Sequence, residues 1–148
     1  MSGANGHLAL SAWVRLLKAH GLVLRELRRR RPEPLTLPQF DVVAQLHRRP
    51  AGMTSRELTR ELLVTAGNVT GLVERLARMG LVERRPVPED RRAVRLVLTP
   101  RGRRVARRAI PRHRRDLEGL LSSLSPQELA LLRSLLGRLG RALEEKAT

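Results

Sequence analysis

Leucine recurs at helical spacing at both ends of this chain. Leu10, Trp13, Leu17, His20, Leu24 and Leu27 fall at 3-4-3-4-3 spacing, and Leu129, Leu132, Leu136, Leu139 and Leu143 at 3-4-3-4. Each pattern is the apolar seam of an amphipathic helix. A chain of 148 residues is about one domain long. The segment between the seams carries apolar positions of its own and is too small to cover both of them. They must therefore bury against each other or against a second copy of the chain. The second copy is the reading adopted, with His20 a satisfied core or interface histidine.

The first helix is expected from about Leu8 to Arg30, ended by Pro32 and Pro34, with Arg28 to Arg31 at the negative end of its dipole. Thr36-Leu37-Pro38-Gln39 has capping-box spacing and opens a helix carrying Phe40, Val43 and Leu46. Thr54-Ser55-Arg56-Glu57 is a second such box, opening a short helix that breaks near Val64. Thr65-Ala66-Gly67-Asn68 starts the next, running through Val69, Leu72, Val73 and Leu76 to a stop at Gly80. Two short helices joined by a tight turn form a helix-turn-helix. Gly67 and Gly71 weaken the second of them, and two readings stay open: close approach to another surface, or simple tolerance.

A hairpin is expected next. Leu81 to Val87 forms one strand, Pro88 to Arg92 a basic tip, and Ala93 to Thr99 the return. There Val94, Leu96 and Leu98 form a buried face and Arg95, Val97 and Thr99 the other. Pro86 and Pro88 mark the first strand as an edge. Thr99-Pro100 opens a further helix to about Leu121, holding Val105, Ala109 and Leu117, with a kink expected at Pro111. Ser125-Pro126-Gln127-Glu128 opens the last. The fold class is mainly α with a small β-hairpin: a winged helix-turn-helix (36–99) between an N-terminal dimerisation helix (1–35) and C-terminal dimerisation helices (100–148).

Charge narrows the function. Thirty basic residues against 14 acidic ones give +16, and only Lys18 and Lys146 among them are lysine. Thirteen arginines and two acids, Glu89 and Asp90, lie between Arg84 and Arg115. A localised excess of this kind favours a surface that faces a polyanion. No cysteine is present, so disulfides, thiolate catalysis and cysteine zinc sites are excluded. The phosphate-loop, dinucleotide, zinc-protease and nucleophile-elbow motifs are all missing. His7, His20, His47 and His113 stand singly, without metal-ligand spacing. The expectation is a non-enzyme with no cofactor and no metal, lacking a signal peptide or membrane span, and cytoplasmic.

The run Asn68 to Leu76, then Gly80-Leu81-Val82-Glu83-Arg84, then Asp90-Arg91-Arg92, and finally Leu96-Val97-Leu98-Thr99-Pro100-Arg101-Gly102 resembles the MarR family of bacterial transcriptional regulators. The resemblance covers essentially the whole chain. It implies a homodimer whose first, fifth and sixth helices dimerise and whose recognition helices enter successive major grooves of a pseudo-palindromic operator in double-stranded DNA.

The same resemblance assigns the DNA-binding residues. Thr65, Ala66, Gly67, Asn68, Thr70 and Gly71 would lie near base edges and phosphates, with Asn68 on an adenine edge or a phosphate and Thr70 on a thymine methyl or capping its own helix. Arg75 would contact phosphate. Thr54, Ser55 and Arg56 would present N–H groups and a charge to phosphate. Arg92 matches the wing arginine that enters the minor groove. Asp90 would orient it through a charge-assisted bond or act as a turn residue. Arg91 is a phosphate contact or a solvated neighbour, and Arg84 a phosphate contact or a brace for the wing.

With Trp13 and Phe40 the only aromatics, an effector would meet aliphatic and arginine groups, which points to a small anion. The eight arginines from Arg101 to Arg115 exceed the family pattern. They extend the DNA footprint, bind an anionic effector, or reflect composition alone. The leading function is a repressor released by a small molecule. A sequence-tolerant architectural DNA-binding protein without effector is the alternative, and a protein-interaction module using the leucine seams a third.

Overall fold

The computed structural model describes residues 2–30, 34–62 and 65–147. The order is α1 (Ser2–Arg29), α2 (Leu37–Arg48), α3 (Ser55–Leu62), α4 (Ala66–Arg78), β1 (Val82–Val87), β2 (Asp90–Leu98), α5 (Pro100–Leu120) and α6 (Pro126–Ala147). Two compact units result, one reaching to Asp116 and the other beginning at Leu117. Mainly α with one antiparallel hairpin is the expected class.

The helix starts follow from side chains that satisfy otherwise unpaired backbone N–H groups. At α2 the Thr36 hydroxyl accepts from Gln39 N (3.4 Å) while Thr36 N donates to Gln39 Oε1 (3.0 Å). Thr54 and Glu57 repeat the arrangement at α3, with the Thr54 N–H donating to Glu57 Oε2 at 2.7 Å. Ser125 and Glu128 do the same at α6, and the Ser125 N–H holds the Glu128 carboxyl below its ordinary range. Thr65 caps α4 by accepting from Asn68 N. The stop at Pro32 and the break near Val64 fall outside the described residues. α1 begins earlier than the seam required, at Ser2, and α5 runs through Pro111 as one helix.

The core of the first unit is built by Leu35, Phe40, Val42, Val43, Leu46, Met53, Leu58, Val69, Val73, Leu76, Leu81 and Leu96, all nearly inaccessible. Helix α5 joins it through small residues. Gly102, Ala106 and Ala109 are buried, and a Cβ on Gly102 would collide with the Leu81 carbonyl. The glycine therefore sets how closely α5 lies on the hairpin base. Thr99 closes that base, its hydroxyl donating to the Gly80 carbonyl at 2.6 Å and accepting from Gly102 N at 3.0 Å.

Two details of the hairpin differ from expectation. β2 starts at Asp90, not Ala93, because Val87 pairs with Asp90 across a two-residue turn of Pro88 and Glu89. The register shifts between Pro86 and Val87, where proline has no N–H to offer the ladder. Val97 is buried while Val94 is 43% exposed. The reason is a third stretch of backbone, in which Met53 bridges Leu96 by two hydrogen bonds (3.0 and 2.7 Å). That bridge brings Gly52 onto Val97 so closely that a Cβ at Gly52 would lie 2.7 Å from Val97 Cγ1. Both faces of the hairpin base are covered, and Val94, nearer the tip opposite Pro86, has no such cover.

Apart from the C-terminal end of α1, where Leu27 is buried and Leu24 half-buried, the first seam is open. Leu10, Trp13 and Leu17 are more than half exposed. In the second unit α6 has no buried residue, and Leu132, Leu136, Leu139 and Leu143 are exposed, joined by Leu131 and Leu135 on the neighbouring stripe.

Candidate nucleic-acid interface

The winged helix-turn-helix brings most of the expected contact residues to its surface. Thr65, Ala66, Gly67, Asn68, Thr70 and Arg75 are exposed, and Gly71 is half-buried. Thr65 is the N-cap of α4, Ala66 to Gly71 fall in its first turns and Arg75 in its last, while the opposite face (Val69, Val73, Leu76) is locked in the core. Thr70 donates its hydroxyl to the Ala66 carbonyl at 3.1 Å, so the hydroxyl is occupied by its own helix and the methyl remains available. Asn68 uses its backbone N–H for the cap. A Cβ added to Gly67 or Gly71 would meet nothing within 4 Å, so packing among the described residues gives no reason for either glycine. Pro38, Gly67, Asn68, Gly71, Leu72 and Arg75 line a recess of about 330 Å³ beside this helix.

At α3 the capping box changes the expected role. The hydroxyl and the N–H of Thr54 are both engaged by Glu57, and Thr54 is half-buried. The Thr54 backbone N–H lowers the Glu57 carboxyl, helped by the Thr54 hydroxyl and the cations Arg95 and Arg49. An ionised carboxylate thus already sits at this helix start. Ser55 and Arg56 are exposed and keep their side chains available, although the Ser55 carbonyl accepts from the Thr59 hydroxyl.

On the wing, Arg84, Asp90, Arg91 and Arg92 are exposed. Asp90 does not form the charge-assisted bond to the Arg92 guanidinium. Its Oδ1 accepts from the Arg92 backbone N–H at 3.0 Å, the bond of a turn residue. Both residues stand beside the two-residue turn, and the backbone N–H lies within reach without extending the arginine. Arg84 likewise braces nothing among the described residues. The neighbouring Arg85 pairs with Glu83 at 2.6 Å.

Two groups escaped the sequence reading. Arg95 Nη1 donates to the Gly52 carbonyl at 3.0 Å and lies 3.9 Å from Glu57 Oε2, tying β2 to the turn before α3. A cavity of about 420 Å³ opens between α1 and α2, lined by Leu24, Arg28, Thr36, Leu37, Pro38 and Asp41. Asp41 stays exposed overall, yet loss of water in this mouth raises its carboxyl above the ordinary range, with His113 pulling the other way. The His113 ring meets Phe40 in a tilted contact, 42° between the ring planes and 4.4 Å between centroids. No local pattern announces either group, because each joins residues far apart in the chain.

Comparison with known proteins places this geometry. The family model described as "MarR family" matches residues 33–93, from just before α2 through the hairpin turn. The HTH-type transcriptional regulator PecS of Dickeya dadantii is 32% identical over 111 residues, covering 74% of this chain and 67% of that protein. Among solved structures, the PcaV transcriptional regulator of Streptomyces coelicolor, in complex with its natural ligand, superposes with a TM-score of 0.70 at 32% identity, over 93% of this chain and 92% of that one. A mutant MarR from E. coli complexed with operator DNA gives a TM-score of 0.74 at 28% identity, over 94% of this chain and 99% of the other. Among the described residues, no helix is long and apolar enough to cross a membrane.

Proposed function

The chain belongs to the MarR family of transcriptional regulators, and from that premise we propose that it is a homodimeric repressor that reads a pseudo-palindromic double-stranded DNA operator and is released by a small effector. The observation that carries the reading is the bare N-terminal half of α4. Its inner face is anchored in the core, while Gly67, Asn68 and Thr70 look outward beside the half-buried Gly71, with no contact among the described residues to explain the glycines. Glycine lowers helix stability by roughly 1 kcal/mol relative to alanine, and close approach of a groove wall accounts for keeping two of them one turn apart. Arg91 and Arg92 on the wing and Arg75 on α4, all exposed, supply the cations that a phosphate backbone and a narrow minor groove require.

The dimer uses the terminal helices, residues 1–35 and 100–148, leaving the winged helix-turn-helix of 36–99 to read the operator. Exposed leucines on α1 and α6 are more apolar surface than a monomer in water tolerates. The effector enters the cavity between α1 and α2, where Arg28 receives an anionic group and Leu24, Leu37 and Pro38 receive its apolar body. Holding α1 against α2 fixes the spacing of the two recognition helices and disfavours the DNA-bound dimer. Such a protein acts where bacterial DNA lies, in the cytoplasm, and performs no catalysis. A second reading, sequence-tolerant binding by charge alone, draws on the arginines of α5.

Footprinting of DNA from the protein's own upstream region tests the proposal. The expected result is one protected site with half-sites about one helical turn apart. Uniform protection without a discrete site would overturn it.

A further inference from the structure

Helix α5 carries a charged face that the winged helix does not use. Arg101, Arg104, Arg108, Arg112 and Arg115 recur at intervals of three or four residues, one stripe about 21 Å long at 1.5 Å per residue. Arg103, Arg107 and Arg114 form a second stripe beside it. All eight are exposed, and no acidic residue lies between Asp90 and Asp116. Among the described residues none of the eight pairs with a carboxylate. Asp116 itself lies near Arg30, 4.0 Å away, and Arg103 donates to the Leu98 carbonyl at 2.8 Å.

Like charges three and four residues apart destabilise a helix, and α5 holds several such pairs with no ion pair to a carboxylate among the described residues. Its other side is fixed, since Gly102, Ala106 and Ala109 are packed into the winged-helix core. The arginine face is therefore a rigid part of the unit that holds α4 and the wing. It is also continuous with the wing along the chain, through Arg91, Arg92 and Arg95 to Arg101.

We propose that the arginine face of α5 is a second, sequence-independent DNA surface that binds phosphates of the duplex flanking the operator. Double-stranded DNA carries one negative charge per about 1.7 Å of axis, a density that a row of unpaired guanidinium groups complements without base contacts. Arginine suits the task, because its planar fork engages phosphate oxygens in pairs. The inference rests on the DNA-binding reading above and adds a footprint that reading does not contain.

The test compares salt dependence on two duplexes, the minimal operator and the same operator extended on both sides by about two helical turns of scrambled sequence. Each neutralised phosphate adds about 0.9 to the slope of log affinity against log salt. The wild-type slope is expected to steepen by about 2–4 on the extended duplex. The variant Arg104→Gln/Arg108→Gln/Arg112→Gln/Arg115→Gln is expected to show equal slopes on both, with operator preference on the minimal duplex retained. Equal wild-type slopes on the two duplexes would overturn the inference without involving any variant. So would a folded variant that keeps the length dependence. Loss of preference for the minimal operator over scrambled DNA in the wild type overturns the regulator reading instead, so the two failures are separable.

Discussion

The guanidinium of Arg95 on β2 donates to the carbonyl of Gly52 at 3.0 Å, across 43 residues of sequence. The same group stands 3.9 Å from the Glu57 carboxylate that caps α3. One side chain thus ties the stem of the wing to the turn leading into the helix-turn-helix. Its neighbours Met53 and Leu96 seal the joint with backbone hydrogen bonds. The wing arginines therefore stand on a hairpin whose base is held from both sides.

Removing that tie should move the wing more than it weakens the fold. Arg95→Ala is expected to lower stability by about 1 kcal/mol, the net worth of one hydrogen bond, because the exposed ion pair to Glu57 adds little. Operator affinity should fall as well, and Arg95→Lys should restore part of it. Denaturant melts and operator titrations on the three proteins measure both effects. Unchanged affinity in Arg95→Ala would show that the wing needs no such anchor.

The glycines of α4 should separate stability from binding. Gly67→Ala and Gly71→Ala are each expected to stabilise the protein by up to about 1 kcal/mol, since the added methyl meets nothing. Both should weaken operator binding. Chemical denaturation and operator titration check the pair of signs, and a stabilised variant with wild-type affinity would remove the close-approach argument.

Arg92 has an exposed side chain, and its backbone N–H alone engages Asp90. Arg92→Ala should therefore leave the melting temperature unchanged while costing about 1–3 kcal/mol of operator affinity. An affinity equal to wild type would take the wing out of the interface.

The acid stability profile should carry the mark of Glu57. The Thr54 backbone N–H holds its carboxyl below the ordinary value of 4.5. A depressed folded-state pKa contributes stability that is present above the unfolded value and is lost as pH falls through the folded one. Glu57→Gln should flatten stability against pH below 4.5, which denaturant midpoints across that range will read. Asp41 has the opposite sign, because burial raises its carboxyl. Its contribution is lost as pH rises through its folded value, and Asp41→Asn should be neutral or stabilising at pH 7.

The leucine faces predict the assembly. Leu136→Glu, at a position 42% exposed in the single chain, should yield a monomer by sedimentation if α6 lies in the dimer interface. A dimer undisturbed by this change and by Leu17→Glu would exclude both seams from the contact.

Much of the fold was legible because its signals are local. Thr36 with Gln39, Thr54 with Glu57 and Ser125 with Glu128 each span one helical turn, and all three boxes form. What stayed hidden depends on contacts between distant segments. Val97 reads as the outward side of an alternating strand and is buried only because Gly52 lies on it. Asp90 and Arg92 invite an ion pair by their spacing, but the turn puts a backbone N–H nearer to the carboxylate than the guanidinium. The cavity between α1 and α2 joins Leu24 and Arg28 to Leu37 and Asp41, a meeting that no periodicity announces. Outward-facing positions on α4 follow from helical spacing alone.

The most direct measurement is fluorescence anisotropy of a labelled duplex from the protein's own upstream region against a scrambled duplex, at two salt concentrations. The account predicts binding to the upstream duplex about 10³-fold tighter or better, a preference that persists as salt rises. Two curves that coincide and collapse together with salt would contradict it.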